Sequence, residues 1–279
     1  MANVQTSVSG LSYRRFGQGH PLLLLHGIPG NGATWLQTAQ ILSSDFDLII
    51  PDLIGFGKSQ RTLEPSSLHA AAQAEALVNL LKELEIDSAA VAGHDFGGPI
   101  ALLLHRYQRH SISHLALFAT NTFTDTPIPF PLSMINYPGL TDLVAPLLFS
   151  RTALGAMLRM GTGSPRTKLD QANYLGDAAQ VRAIREIFVS SLTNIAELYE
   201  PVQTQLSNVR IPCLVGWGDK DPFFSLEQGY RTAKILGVTL RVYSNAGHFL
   251  PEERPHELAA DLRNLILGSE DRKHVVSID

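Results

Sequence analysis

The 279-residue chain is 44% hydrophobic and carries 22 Lys and Arg against 26 Asp and Glu, a formal net charge of −4. That composition supports a sizeable core and excludes disorder as the main theme, and the mild acidity offers nothing for nucleic acid or an anionic membrane surface to attract. Met1 to Thr6 has neither a positive start nor an apolar run, no stretch reaches the roughly eighteen apolar residues of a spanning helix, and the single Cys213 has no disulfide partner, so the expectation is a soluble, cytoplasmic monomer or homodimer with a buried core thiol.

Taken in order, residues 11–16 alternate enough for an edge strand, and 17–21 form a turn. The Leu22-Leu23-Leu24-Leu25 run reads as a central strand and ends in His26-Gly27-Ile28-Pro29-Gly30-Asn31-Gly32, a glycine-rich loop on the edge of an open α/β sheet where ligands bind. Residues 46–50 form the next buried strand, which delivers Pro51-Asp52-Leu53-Ile54-Gly55-Phe56-Gly57-Lys58-Ser59. Ala74, Leu77, Leu80, Leu81 and Leu84 recur at helical spacing and predict a crossover helix over 68–84. Strands at 88–92 and 115–119 enclose a helix that ends near Tyr107. Strands alternating with helices predict an α/β fold with a mostly parallel sheet flanked by helices.

From residue 124 to 187 the alternation stops. Pro127, Pro129, Pro131 and Pro138 crowd the start, helical pieces follow at 142–148, 153–160 and 178–188, and residues 161–165 interrupt them. This predicts a helical cap, or lid, inserted between core segments 1–123 and 188–269. Met134, Met157 and Met160 all fall in it, as packing residues suited to an apolar ligand. Alternation resumes with a strand at 213–215, the loop Gly216 to Pro222, a helix at 226–236, a strand at 239–243 and the loop Asn245-Ala246-Gly247-His248-Phe249. A helix at 255–267 closes the core, and the remainder, 270–279 in particular, is expected to be a polar tail.

The strand at 88–92 runs into Gly93-His94-Asp95-Phe96-Gly97. Glycines two before and two after Asp95 permit a sharp turn that exposes its side chain, and the helix that begins after it favours a carboxylate at its N-terminus. Hydrolases usually carry serine there. With Asp221 and His248 on later strand-end loops, the chain order is nucleophile, acid, histidine.

At this point the sequence resembles the α/β-hydrolase family over nearly its whole length. The resemblance rests on His26-Gly27-Ile28-Pro29, the D-x-x-G-x-G-x-S pattern from Asp52 to Ser59, the turn at Asp95, Gly218-Asp219-Lys220-Asp221, and Gly247-His248. It implies an α/β-hydrolase fold and a triad of Asp95, Asp221 and His248. The backbone N–H groups of Ile28 and Phe96 would form an oxyanion hole, each donor contributing about 3 kcal/mol. Asp219 is read as a solvated loop carboxylate, His26 and His94 as supports for the loops, and His105, His110 and His256 as residues on helix surfaces or ends.

Within the family, aspartate at the turn resembles the branch of epoxide hydrolases and of haloalkane and fluoroacetate dehalogenases. A carboxylate that attacks an sp³ carbon gives a stable alkyl ester, whereas attack on an acyl carbon gives a mixed anhydride. Phe96 and Ile28 stand where haloalkane dehalogenases place halide donors, and no arginine follows Asp95 to bind an anionic substrate. Epoxide hydrolysis on a small apolar substrate is therefore the leading expectation, with Tyr137 and Tyr174 as candidate proton donors. A dehalogenase whose halide site uses Trp35, Asn31 or Asn121 stays open, as do a cofactor-free, non-hydrolytic or ligand-binding protein of this fold and an Asp-for-Ser variant of an esterase. The resemblance implies no cofactor, and no phosphate loop is present, since Gly27 to Gly30 lacks its spacing and lysine. No metal is expected either, because His110 and His114 lack the glutamate that would follow the first.

Overall fold

The computed structural model describes residues 4–60, 64–109, 111–128, 130–137, 139–164 and 167–275. Among them eight strands build one sheet: β1 Val4–Thr6, β2 Ser12–Gly17, β3 His20–Leu25, β4 Phe46–Asp52, β5 Ala89–His94, β6 Ile112–Phe118, β7 Cys213–Gly218 and β8 Leu240–Tyr243. Their order is β1-β2-β4-β3-β5-β6-β7-β8. The first two pairings are antiparallel and the rest parallel. Because β3 lies between β4 and β5, the loops that follow β3 and β5 face each other at the point where the strand order reverses, which is where open α/β sheets bind ligands.

The leucine run of β3 serves both faces of the sheet. Leu22 and Leu24 pack with Leu48, Ile50, Ala90 and Ala92 on one side, while Leu23 and Leu25 pack with Ile49, Val91, Leu115 and Leu117 on the other. Strands buried on both faces read as continuous apolar runs, and complete burial of each leucine contributes about 1.5–3 kcal/mol. The first face is covered by α1 (Leu36–Leu42) and, at the end of the chain, by the long closing helix. The second is covered by α2 (Pro65–Leu68), α3 (Ala70–Glu83) and α4 (Gly97–Tyr107). The insertion contributes α5 (Thr141–Leu148), α6 (Arg151–Met160), α7 (Ala172–Leu175) and α8 (Ala178–Thr193). After it come α9 (Ile195–Leu206), α10 (Leu226–Leu236), α11 (Leu250–Glu253) and α12 (Pro255–Val275).

Several expectations are corrected. The strand at 11–16 is not an edge, because β1 pairs beside it with Gln5 opposite Tyr13; three residues are too few to display an alternation. The helix α1 had no counterpart in the sequence reading, yet parallel pairing of β3 with β4 requires a crossover between them. Helix α8 runs through the expected boundary at 187/188 to Thr193, and α9 starts after the single residue Asn194 and packs on α4. His105 is not on a helix surface: it is 1% exposed, and its Nδ1 accepts a 2.7 Å hydrogen bond from Gln205 Nε2 where these two helices meet. His114 lies in β6. The closing helix continues past Leu267 into the expected tail, a stretch in which Glu270, Arg272 and Lys273 favour helix. Cys213 is half-buried rather than fully buried, and burial pushes its thiol up to about 12, which disqualifies it as a thiolate. The expectations for Met1 to Asn3, His110, Pro129, Pro138, Pro165 and residues 276–279 lie outside the described residues. Among those that are described, no single helix is long and apolar enough to cross a membrane.

Candidate active site

The turn after β5 carries Asp95 at φ +51°, a left-handed conformation that is uncommon outside glycine and asparagine. It is enforced by close packing: a Cβ on Gly93 would stand 2.3 Å from Gly97 O, and one on Gly97 would stand 2.4 Å from Leu25 O. Strand and helix meet here with no room for a side chain. The backbone carbonyl of Asp95 is held by Thr120 Oγ1 at 2.6 Å, and a Cβ on Gly98 would lie 2.1 Å from that same hydroxyl. Gly98→Ala is therefore expected to push Thr120 off its bond and to destabilise the fold by about 1–3 kcal/mol, seen as a lowered Tm in thermal denaturation.

The side chain of Asp95 divides its two oxygens between two neighbours. Oδ1 accepts the Ile28 N–H at 2.7 Å from the loop after β3, and Oδ2 lies 3.6 Å from His248 Nε2. The other ring nitrogen of His248, Nδ1, is 2.9 Å from Asp221 Oδ2, a carboxylate whose Oδ1 accepts the N–H groups of Phe223 at 2.8 Å and Phe224 at 3.1 Å. Asp221 thus fixes the tautomer and the orientation of the imidazole. The rings of Phe223, Phe224 and Phe249 surround His248 edge-on at 5.1, 5.5 and 5.2 Å between centroids.

The His248 loop is clamped from two sides. His94 Nε2 donates to His248 O at 2.7 Å, and His248 N donates to Gly161 O of the insertion at 2.7 Å. Glu253 accepts the N–H groups of both Gly163 and Gly247 at 2.7 and 3.1 Å, tying insertion and catalytic loop together. His26 supports the opposite loop, donating through Nδ1 to Gly27 O at 2.9 Å and accepting Leu53 N–H through Nε2 at 2.9 Å. Asp52 accepts the N–H groups of Gly32 and Lys58, and Ser59 returns a hydrogen bond to the Asp52 carbonyl, which explains the spacing of that motif. Asp219 is exposed, as expected.

Burial disfavours charge at His248, but the charge and hydrogen bond of Asp221, joined by Asp95, outweigh it and raise the imidazolium to about 10. Burial likewise pushes Asp95 up, and the neighbouring imidazolium of His248, with weaker help from His94 and the Ile28 N–H, holds it below the usual carboxylate range. Both effects favour a charged imidazole at His248 beside an ionised Asp95. Burial and the nearby His248 lower His94 to about 4, so it stays neutral in its supporting role.

Above these groups lies a cavity of about 140 Å³. Ile28, Phe96, Phe223, Phe224 and Phe249 of the core and Ile128, Leu132, Met157, Ile187 and Phe188 of the insertion make its wall apolar. Its other polar side chains are Asn121, Thr126, Ser191 and Tyr199. Of the predicted binding residues only Asn121 reaches this wall, and its side-chain NH₂ is 3.2 Å from Phe123 O. Tyr137 is 60% exposed, and Tyr174 is buried with its hydroxyl on Glu252. Trp35 is wholly buried on the opposite face of the sheet, where its indole N–H has no hydrogen-bond partner, and Asn31 accepts the Ala33 N–H in a cap. Met134 packs against the core from its edge, and Met160 is 64% exposed.

Sequence reasoning missed Tyr199, which lines the cavity from α9 and whose phenol is raised by burial and by the charge of Asp95. The signal lay in the length of α8: a tyrosine just after its end at Thr193 was passed over because the helix was expected to stop near 188.

A family model described as alpha/beta hydrolase fold matches residues 20–255. A soluble epoxide hydrolase from a Corynebacterium species is 26% identical over 271 residues, covering 90% of this chain and 92% of that one. Among solved structures, the epoxide hydrolase CorEH superposes with a TM-score of 0.79 at 20% identity, covering 96% of this chain and 100% of its own. The haloalkane dehalogenase DbeA from Bradyrhizobium elkani gives 0.81 at 20% identity, covering 98% and 99%.

Proposed function

The chain belongs to the α/β-hydrolase family, and from that premise we propose that it hydrolyses epoxides of apolar substrates through a covalent ester on Asp95. The observation that carries this reading is the company Asp95 keeps: a paired His248 and Asp221, and one phenol, Tyr199, in a cavity whose wall is mostly apolar. Helices α5 to α8 act as the cap that supplies its upper wall.

Asp95 Oδ2 attacks an epoxide carbon, the C–O bond breaks, and the departing oxygen takes the proton of Tyr199. His248 then removes a proton from water, which adds to the Asp95 carbonyl carbon. The charge that develops on Oδ1 meets the Ile28 N–H already bonded to it, with the Phe96 N–H as the second donor. Collapse expels the ester oxygen, which takes the proton that His248 drew from water and leaves as the vicinal diol, and the acid proton left on Asp95 returns to the Tyr199 phenolate, which restores the carboxylate. Halide loss is the weaker reading, because a halide site needs side-chain N–H donors beside the nucleophile. Trp35 is buried on the opposite face of the sheet, Asn31 caps the turn at Ala33, and the Asn121 side chain is shared between Phe123 O and the Tyr199 hydroxyl.

The electrostatics separate the two steps. Before alkylation His248 is an imidazolium and cannot act as a base. The ester removes the charge of Asp95, so the His248 pKa falls from about 10 and the base becomes available. Because Asp95 is ionised throughout the neutral range and Tyr199 keeps its proton there, alkylation should be flat with pH. Ester hydrolysis should rise with pH through the lowered His248 value, so the adduct accumulates on the acid side. Rapid-quench single turnovers with styrene oxide in ¹⁸O-water test this. The proposal expects the first diol to carry unlabelled oxygen from Asp95 and the label to remain in the Asp95 peptide; label in the first diol contradicts it.

A further inference from the structure

Behind the catalytic cavity lies a second one, of about 130 Å³. Its inner wall is Phe96, Ser191 and Tyr199, three residues that also line the first cavity. Its outer end is formed by Ser66 and Ala71, both exposed, at the junction of α2 and α3. The catalytic cavity reaches the surface elsewhere, at exposed Pro127 beside Ile128. The two openings differ in chemistry: at the one beside Pro127 the polar neighbour is Thr126, whose hydroxyl is already bonded to Asn121, Phe123 O and Gln228, whereas the rear cavity, otherwise lined by apolar residues such as Leu198 and Val202, adds Ser66 and the imidazole of His69 to the shared Ser191 and Tyr199. His69 also pairs through Nε2 with Ser190 Oγ, bridging the start of α3 to α8 beside this cavity.

We propose that the rear cavity is the passage by which water reaches the site and the diol product leaves, with the Tyr199 and Phe96 side chains as its inner door and the His69–Ser190 bridge holding the outer walls together. The assignment rests on the epoxide reading above for the identity of the product. An epoxide of an apolar substrate has no hydrogen to donate, while the diol made from it has two hydroxyls. The hydroxyls and the imidazole set into the rear wall give that product hydrogen bonds along its way out, and the opening beside Pro127, where the Thr126 hydroxyl is already committed, gives it fewer. Tyr199 then has two faces: its hydroxyl serves the opening oxygen, and its ring separates the reacting ester from the water beyond it.

The test uses the full chain with two substitutions away from the catalytic groups. Ala71→Trp narrows the outer opening, and Ser190→Ala removes the bridge. Dissociation of 1-phenylethane-1,2-diol is measured by NMR exchange, and adduct formation from styrene oxide by rapid quench. Ala71→Trp is expected to slow diol dissociation about fivefold or more and Ser190→Ala to speed it about twofold, with adduct formation in both close to wild type. Diol dissociation unchanged in both variants overturns the passage, as does a diol that does not bind at all. If the wild type forms no adduct, the epoxide reading fails separately, and the passage is then decided by the diol exchange alone.

Discussion

Asp95→Asn is expected to lower turnover by about four orders of magnitude or more while the protein stays folded. Asparagine is the side chain that best tolerates the left-handed conformation found at this position, φ +51°. Its amide oxygen can keep the 2.7 Å bond from the Ile28 N–H. What disappears is the anionic oxygen 3.6 Å from His248, and with it the group proposed to form the ester. Loss of that charge also lowers the His248 pKa, so the variant should titrate its imidazole closer to the ordinary range, which histidine NMR can read. Melting temperature and steady-state rates with an epoxide panel check the rest. Activity within about tenfold of wild type would remove Asp95 from the nucleophile's role.

The second large effect belongs to Tyr199. Tyr199→Phe keeps the ring and the shape of the cavity but removes the proton that the opening oxygen needs, so the rate of adduct formation should fall by about 10²- to 10⁴-fold. Hydrolysis of an adduct already formed should barely change, because that step uses His248 and water. Tyr174→Phe provides the contrast. The hydroxyl of Tyr174 is committed to Glu252, away from the cavity wall, so its loss should leave adduct formation near wild type. Because burial raises Glu252 to about 7 and its hydrogen bond to Tyr174 opposes that rise, removing the bond should raise it further, a shift carboxylate NMR can follow. Equal losses in the two variants would make Tyr199 a packing residue.

The meeting of Asp95, Asp221 and His248 was legible because each of them follows a short apolar run and sits in a glycine-containing loop. Strand, sharp turn and side chain are fixed within a few residues of one another, and such local patterns survive without tertiary information. The same holds for α4 and α10, whose apolar spacing and bounds matched what the structure shows. Tertiary position was not legible. Trp35 and Asn31 follow the loop that contains Ile28, yet the chain turns there into Gly32–Trp35 and α1 and carries the indole under the sheet. Tyr137 and Tyr174 lie in the insertion as sequence, but whether an insertion residue faces the cavity depends on how α5 to α8 pack. Helices whose apolar residues serve both cap packing and a ligand cavity show no periodicity that distinguishes the two. Tyr199 was missed for a related reason: an α8 that continues to Thr193 has no breaker at 187 to mark its end, and α9 starts after a single Asn194.

Intact-protein mass spectrometry of His248→Gln, incubated with aryl epoxides and haloalkanes, tests the ester on Asp95 most directly. Glutamine cannot activate water, so an ester once formed should persist. The account predicts a mass increase equal to a whole epoxide, located on the peptide that contains Asp95. An unmodified protein, or an adduct that has lost a halogen, contradicts it.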